Sequence, residues 1–125
     1  MSAATLFGVA VGQLFAAIAA VESEGGRTSD NVYQLQRVYL DDAGRIGGCH
    51  YPDAVATDRT ASERVMLAYW RHYGERYRRL TGNEPTAEVL ARIHNGGPDG
   101  WKKSSTDGYW RKVKAKLPKE RTQHD

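Results

Sequence analysis

Residues 16–26 read AAIAAVESEGG, an alanine-rich run that ends in a carboxylate, Glu22, and is closed, after Ser23 and Glu24, by two glycines. Val11, Leu14, Ile18 and Val21 recur at spacings of three and four, the stripe of a helix that faces a core. Glu22 lies four residues after Ile18 and seven after Phe15, which puts it on the flank of that stripe and not on the watery side. Partial burial disfavours a charged carboxylate, and the negative end of the helix dipole disfavours it again. A carboxyl so placed keeps its proton near neutral pH, can give it to a leaving oxygen such as that of a glycosidic bond, and can then take one back. The spacing alone also fits a surface acid near a fraying helix end.

The elements that must position this acid can be read from periodicity and stop signals. The first helix is expected over about Val9 to Ser23, stopped by Gly25 and Gly26. NVYQL, with Val32, Tyr33 and Leu35, suggests a small strand or extended turn before a short helix near Val38 to Ile46. TASE, Thr60 to Glu63, has the pattern of a capping box at the start of the next helix, whose inner face would carry Met66, Trp70, Tyr73, Tyr77 and Leu80. A fourth helix is expected from about Pro85 to His94, stopped by NGGP. A fifth should span about Thr106 to Leu117, with Trp110, Val113 and Leu117 inward. About five helices with one very small, shortened hairpin or extended segment make a mostly α, or α+β, fold.

Length and charge set the outer limits. At 125 residues the chain fits one domain, residues 1–125, with a core over about 9–117 and a basic tail over 118–125; a monomer is expected. The single cysteine, Cys49, excludes an intrachain disulfide and a four-thiolate zinc site, and is expected to be a small buried or half-exposed side chain. His94 has no second ligand at a suitable spacing, so it is read as a helix-end residue with a satisfied hydrogen bond, and no metal is expected. The opening run MSAATLFGVAVGQLFAAIAAVE has no Lys or Arg ahead of it and is interrupted by Gln13. It is therefore read as a helix packed inside the domain rather than a signal peptide or a membrane span.

The positive charge is local. Residues 101–121 carry eight Lys or Arg against two acids, whereas residues 1–100 carry ten against twelve. Such a segment suits a polyanion, whether nucleic acid, an anionic membrane or a bacterial wall, or is simply a solvated helix face. No standard nucleic-acid motif accompanies it, so nucleic acid is not an expected partner.

Three stretches together, AVESEGG, VYQLQRVYLDD and ARIHNGGPDGWKKSSTDGYWRKV, resemble the lysozyme-like superfamily. The resemblance covers about residues 14–117. It is to small bacterial and phage domains of the lytic transglycosylase type and, more distantly, to invertebrate-type lysozymes. It implies a peptidoglycan-cleaving glycosidase that acts on glycan strands at the MurNAc–GlcNAc bond, without cofactor. Glu22 would then be the catalytic acid and base. Gln34, with its neighbour Tyr33, would line the sugar groove, and Asn95 and Gly96 would form the turn that contacts substrate. Tyr109 is a further candidate for substrate contact. For Tyr109 and Trp110, however, packing in the core or the cleft wall is preferred to sugar stacking, because helical spacing predicts burial equally well. A wall substrate implies the cell wall, the periplasm or phage-encoded release, and no export route is legible.

The chain departs from the family pattern in three ways. ESEGG replaces the usual Glu-Ser-Gly-Gly and adds an acid, Glu24. Only twelve positions separate Glu22 from Gln34, so the hairpin is shortened. The cysteines of invertebrate-type lysozymes are absent, which points to the bacterial or phage branch. Asp30 is the acid left in the shortened stretch and is the candidate second carboxylate, although a turn-forming Asp fits it better. Asp41 and Asp42 are read as helix-surface or structural acids. Without a second acid in the cleft, a single-acid mechanism that yields an anhydro sugar is the better fit, with hydrolysis open because water could replace the internal hydroxyl; the alternatives are a catalytically inactive wall-binding or scaffold domain of the same fold and, behind it, a basic nucleic-acid-binding domain.

Overall fold

The computed structural model describes residues 5–119. Its architecture is mostly α, with five helices: α1 (Val11–Ser23), α2 (Arg37–Gly47), α3 (Arg59–Thr81), α4 (Ala87–Gly96) and α5 (Asp107–Lys116). Short 3-10 turns cover Asp53–Thr57, Gly100–Lys102 and Ser104–Thr106. α1 packs on α5, α2 on α3, and α4 on both α3 and α5.

α1 runs through the core, with Leu14, Ala17, Ile18 and Ala19 fully buried. Phe15, one turn before Ala19, stacks on Trp70 of α3 at 5.5 Å and tilts against Tyr33 at 5.8 Å. Such aromatic pairs add to the apolar burial that orients the first helix.

The small sheet lies in a different place from the one the β-prone residues suggest. An antiparallel pair, β1 (Thr5–Leu6) and β2 (Val9–Ala10), precedes α1, with Leu6 opposite Val9. Val9 therefore belongs to a hairpin and not to the first helix. Phe7 and Gly8 make its turn, both at positive φ, and the Phe7 ring occupies the space that a side chain at Gly74 of α3 would need. NVYQL forms no strand because Asn31 satisfies the backbone there: its side chain accepts from the Leu35 N–H at 2.8 Å and donates to the Leu35 carbonyl at 2.9 Å.

α3 also starts differently. Its N-cap is Asp58, whose carboxylate accepts from the Ala61 N–H at 3.0 Å. Thr60 already lies within the first turn, and Glu63 is drawn away to the hydroxyl of Tyr33. Met66, Trp70 and Tyr73 face inward as expected, but Leu80, in the last turn, is 59% exposed. α4 is capped by Thr86, which accepts from the Val89 N–H at 3.2 Å. Cys49 is exposed. Pro118 and Lys119 follow α5 exposed; the remainder of the basic tail lies outside the described residues. Among the described residues, no helix is long and apolar enough to cross a membrane.

Candidate active site

α1 ends in a tight backbone lock. The Glu24 N–H reaches back to the Ala20 carbonyl at 3.2 Å and the Gly25 N–H to that of Ala19 at 3.0 Å, so the last carbonyls of the helix are capped. Glu24, Gly25 and Gly26 all take positive φ, which turns the chain sharply away from the helix axis. Ser23, fully buried, braces this turn: its hydroxyl donates to the Val32 carbonyl at 2.6 Å and accepts from the Gly26 N–H at 2.9 Å. The helix end is thereby tied to the segment that follows, and the side chain just before Ser23 is held in place.

That side chain is Glu22, 19% exposed. Burial pushes its carboxyl above the ordinary value, and a hydrogen bond from Tyr109 works in the other direction with smaller effect. The Tyr109 hydroxyl donates to Oε2 at 2.9 Å. Burial and the Glu22 charge hold Tyr109 far above its ordinary pKa, so it remains a donor.

His94 stands on the other side of the acid, its Nε2 3.8 Å from Glu22 Oε2. It is enclosed by its neighbours, and burial lowers its pKa to about 4, so the contact is not an ion pair at neutral pH. Its tautomer follows from its partners. The Tyr33 carbonyl, 3.1 Å from Nε2, can only accept, so Nε2 carries the proton and Nδ1 accepts from the Tyr39 hydroxyl at 3.2 Å. The acid thus has one neutral donor, Tyr109, and one neutral neighbour, His94, and neither offers the positive charge that would ionise it.

Glu22 opens onto a groove of about 900 Å³ whose lining also includes Gln34, Asn95, Gly96, Tyr39 and Tyr69. Tyr39 and Tyr69 stack at 4.0 Å and extend an aromatic surface from His94 toward Tyr73. At that far end Tyr73 donates to Asp42 at 2.6 Å, and Arg45 pairs with the same carboxylate.

The turn after α4 is built from glycines with specific tasks. Gly97 takes φ +87, a side chain at Gly96 would meet the Thr106 methyl at 2.6 Å, and one at Gly100 would run into the Arg92 carbonyl. Arg92 then ties this loop to α5: it donates to Thr106 at 2.7 Å and pairs with Asp107 at 2.9 Å, two residues before Tyr109. The HNGGPDG sequence is thus a close-packed corner that carries Asn95 and Gly96 on its groove side.

The sequence-derived candidates divide accordingly. Glu22, Gln34, Asn95 and Gly96 meet at one groove, and Tyr109 joins them through its bond to Glu22. Gln34 holds φ +55, with its amide nitrogen on the Asn31 carbonyl at 2.7 Å. Tyr33 does not line the groove. Its side chain is fully buried, and it serves the site through its carbonyl on His94. Asp30 is exposed and outside the groove lining, the position of a turn residue. Asp41 and Asp42, expected as surface or structural acids, are on the groove wall, paired with Arg37 and Arg45 respectively. Tyr39, Tyr69 and Arg45 were not anticipated; the i, i+4 spacing of Tyr69 and Tyr73 on α3 was the available signal.

No family model matches the chain. It is 41% identical to Lysozyme 1 of Crassostrea virginica over 83 residues, which are 66% of this chain and 42% of that protein. It is 36% identical to the lysozyme of Meretrix lusoria over 88 residues, 70% of this chain and 67% of the relative. It is 34% identical to Invertebrate-type lysozyme 6 of Caenorhabditis elegans over 93 residues, 71% of this chain and 67% of the relative. The chain therefore spans less than half of the first of these proteins and about two thirds of the others. The missing cysteines had pointed to a bacterial or phage branch, whereas these relatives carry lysozyme names. With identity above 30% across two thirds of such relatives, the chain belongs to the invertebrate-type lysozyme family.

Proposed function

We propose that this protein cleaves peptidoglycan glycan strands at the β-1,4 bond between N-acetylmuramic acid and N-acetylglucosamine, with Glu22 as general acid and base. The observation that carries this reading is the placement of Glu22: a largely buried carboxyl, raised above its ordinary pKa, on the wall of a groove of about 900 Å³. The lysozyme names of its relatives support the same substrate class. Replacement of Glu22 by Gln removes the proton and keeps the shape. The variant is expected to remain folded and to lose about 10²- to 10⁴-fold in wall-clearing rate. A folded Gln variant that clears walls at the parent rate removes the assignment.

The finer reading is a single-acid mechanism. Glycosidases that use two carboxyl groups hold them about 5 to 9.5 Å apart across the scissile bond. Asp30 is outside the groove lining, and the two aspartates on its wall are engaged with arginines. No second carboxylate is among the influences on Glu22. Glu22 then protonates the glycosidic oxygen as the C1–O bond breaks, and the C6 hydroxyl of the muramyl sugar attacks C1. The hydroxyl proton passes to the Glu22 carboxylate, which restores the acid. The product is a 1,6-anhydro end, and no second protein group is consumed. Mass spectrometry decides the point: an anhydro end is one water lighter than the reducing end that hydrolysis leaves.

A further inference from the structure

The last helix carries a charge pattern that the groove does not use. Arg111, Lys112, Lys114 and Lys116 are all exposed on α5. The acids nearest to them in sequence within the described residues are engaged elsewhere, Asp107 with Arg92 at 2.9 Å and Asp99 with Arg76 at 2.9 Å. Lys103 adds a fifth cation, and its amine donates to the Gly96 carbonyl at 2.8 Å, so it sits at the rim of the groove. The helix dipole accounts for Lys114 and Lys116 in the last turn, but not for Arg111 and Lys112 in the middle of the helix. Lys112 and Lys116 are also like charges at i, i+4, an arrangement that destabilises a helix when nothing offsets it.

We infer that the solvent-facing side of α5, together with Lys103 at the groove rim, is a binding surface for the phosphodiester-linked anionic polymers that bacterial walls carry. The apolar side of the helix is already spent: Val113 is fully buried, and Tyr109 and Trp110 pack against the core, so no apolar face is left to enter a lipid interface. The exposed large hydrophobic side chains among the described residues are Val38 and Leu80, on α2 and α3, so α5 offers no aromatic platform for stacked bases. What remains is an array of charges suited to a flexible polyanion without bases. The choice of a wall polymer rests on the proposed reading of the groove, because such polymers are tethered to the glycan that the groove would cleave.

The test uses the Glu22→Gln protein, which leaves walls intact, and a second protein that also carries Arg111→Gln, Lys112→Gln, Lys114→Gln and Lys116→Gln. Each is sedimented with walls that bear phosphodiester polymers and with walls stripped of them by hydrofluoric acid. For four charge contacts the affinity of the Glu22→Gln protein is expected to fall roughly fiftyfold between about 50 and about 200 mM salt. Stripping the walls, or making the four added substitutions, is expected to cut low-salt binding by about tenfold or more. Replacing the three lysines by arginine should preserve it. Equal retention on stripped walls, or by the neutralised variant with an unchanged melting temperature, overturns the proposal. Tighter binding to phosphatidylglycerol vesicles or to duplex DNA than to phosphate-bearing walls overturns the choice of ligand. Failure of the groove reading looks different: the unsubstituted protein releases no fragments, while salt-dependent sedimentation persists and supports the surface.

Discussion

The hydroxyl of Tyr109 on α5 donates to Oε2 of Glu22 on α1 across 2.9 Å, although 87 positions separate the two residues in the chain. The bond joins the end of the buried helix to the start of the basic one, and the acid answers to both. Burial pushes its proton on, and the phenol favours the ionised form with smaller effect. The corner formed by Arg92, Thr106 and Asp107 fixes the start of α5 and with it the position of Tyr109.

Tyr109→Phe removes the influence that lowers the Glu22 pKa and leaves burial unopposed. A general acid works below its pKa, so the basic limb of the pH–rate profile is expected to move to higher pH. The rate on the plateau should fall modestly, by roughly tenfold at most, since the proton donor itself remains. A profile measured from pH 4 to 9 checks this, and an unmoved basic limb would show that the phenol does not tune the acid.

Glu22→Gln has a signature in stability as well as in activity. The folded protein holds the Glu22 proton more tightly than the unfolded chain, whose carboxyl titrates near the ordinary 4.5. The stabilisation this gives is complete below that value and is lost as pH rises through the folded pKa. Above it the fold carries a charge in a place that disfavours charge. The Gln variant escapes that penalty and is expected to melt higher than the parent at pH 7, with the margin closing toward pH 4. Thermal melts of both proteins at the two pH values test the sign.

His94 runs the opposite way. Its folded pKa of about 4 lies below the ordinary 6.5, so its contribution is complete above 6.5 and is lost as pH falls through about 4. Because His94 and Glu22 are 3.8 Å apart, a change at one alters the surroundings of the other, and the comparison belongs in a Glu22→Gln background. There, adding His94→Gln should cost stability at pH 7.5, by loss of the bonds to Tyr33 and Tyr39, and flatten the decline between pH 6.5 and 4. Urea unfolding across that range reads both effects, and an equally steep decline without His94 would assign the acid sensitivity elsewhere.

How much of this could be read in advance depended on the range of the interaction. Glu22 was legible because three residue types in a row, an apolar stripe, an acid and two glycines, set its place on a single helix. Gln34, Asn95 and Gly96 were placed by motif, and the groove gathers them. Tyr109 was visible as an aromatic on a helix, but its partner was not, since nothing local encodes a bond across 87 positions. Tyr33 departs from its expected place for a local reason, whereas Asp30 takes the turn position that its neighbours favour. A tyrosine in a β-prone stretch fits a groove or a core equally, and here its ring is buried and its hydroxyl is held by Glu63 of α3. Asp30 was the remaining acid in the right interval, yet its turn points it to solvent. The hairpin before α1 was hidden because strands of two residues are too short to show alternation, and Val9 continues an apolar run. At α3, two cap residues compete two positions apart, and Asp58 wins because Arg59 is already helical.

Glu24 is the residue by which this chain departs from the Glu-Ser-Gly-Gly pattern, and the structure gives that departure a cost. It sits at φ 53 and ψ 43, a left-handed conformation that a side chain disfavours by roughly 1–2 kcal/mol. Its offsetting contact is an ion pair with Arg27, in which the two side chains are 53% and 77% exposed, so the pair contributes little. Glu24→Gly relieves the backbone but frees the unfolded chain, an entropic loss of roughly 0.4–1 kcal/mol. The net expectation is a gain of about 0.5 kcal/mol, a rise of one or two degrees in melting temperature. Glu24→Ala separates the causes, since it deletes the charge near the negative end of α1 and keeps the strained φ. If Ala stabilises as much as Gly does, the benefit is electrostatic and the backbone account fails. Glu24 is not among the influences on the Glu22 carboxyl, so the pH–rate profile of Glu24→Gly should overlay that of the parent, with stability altered and the acid untouched.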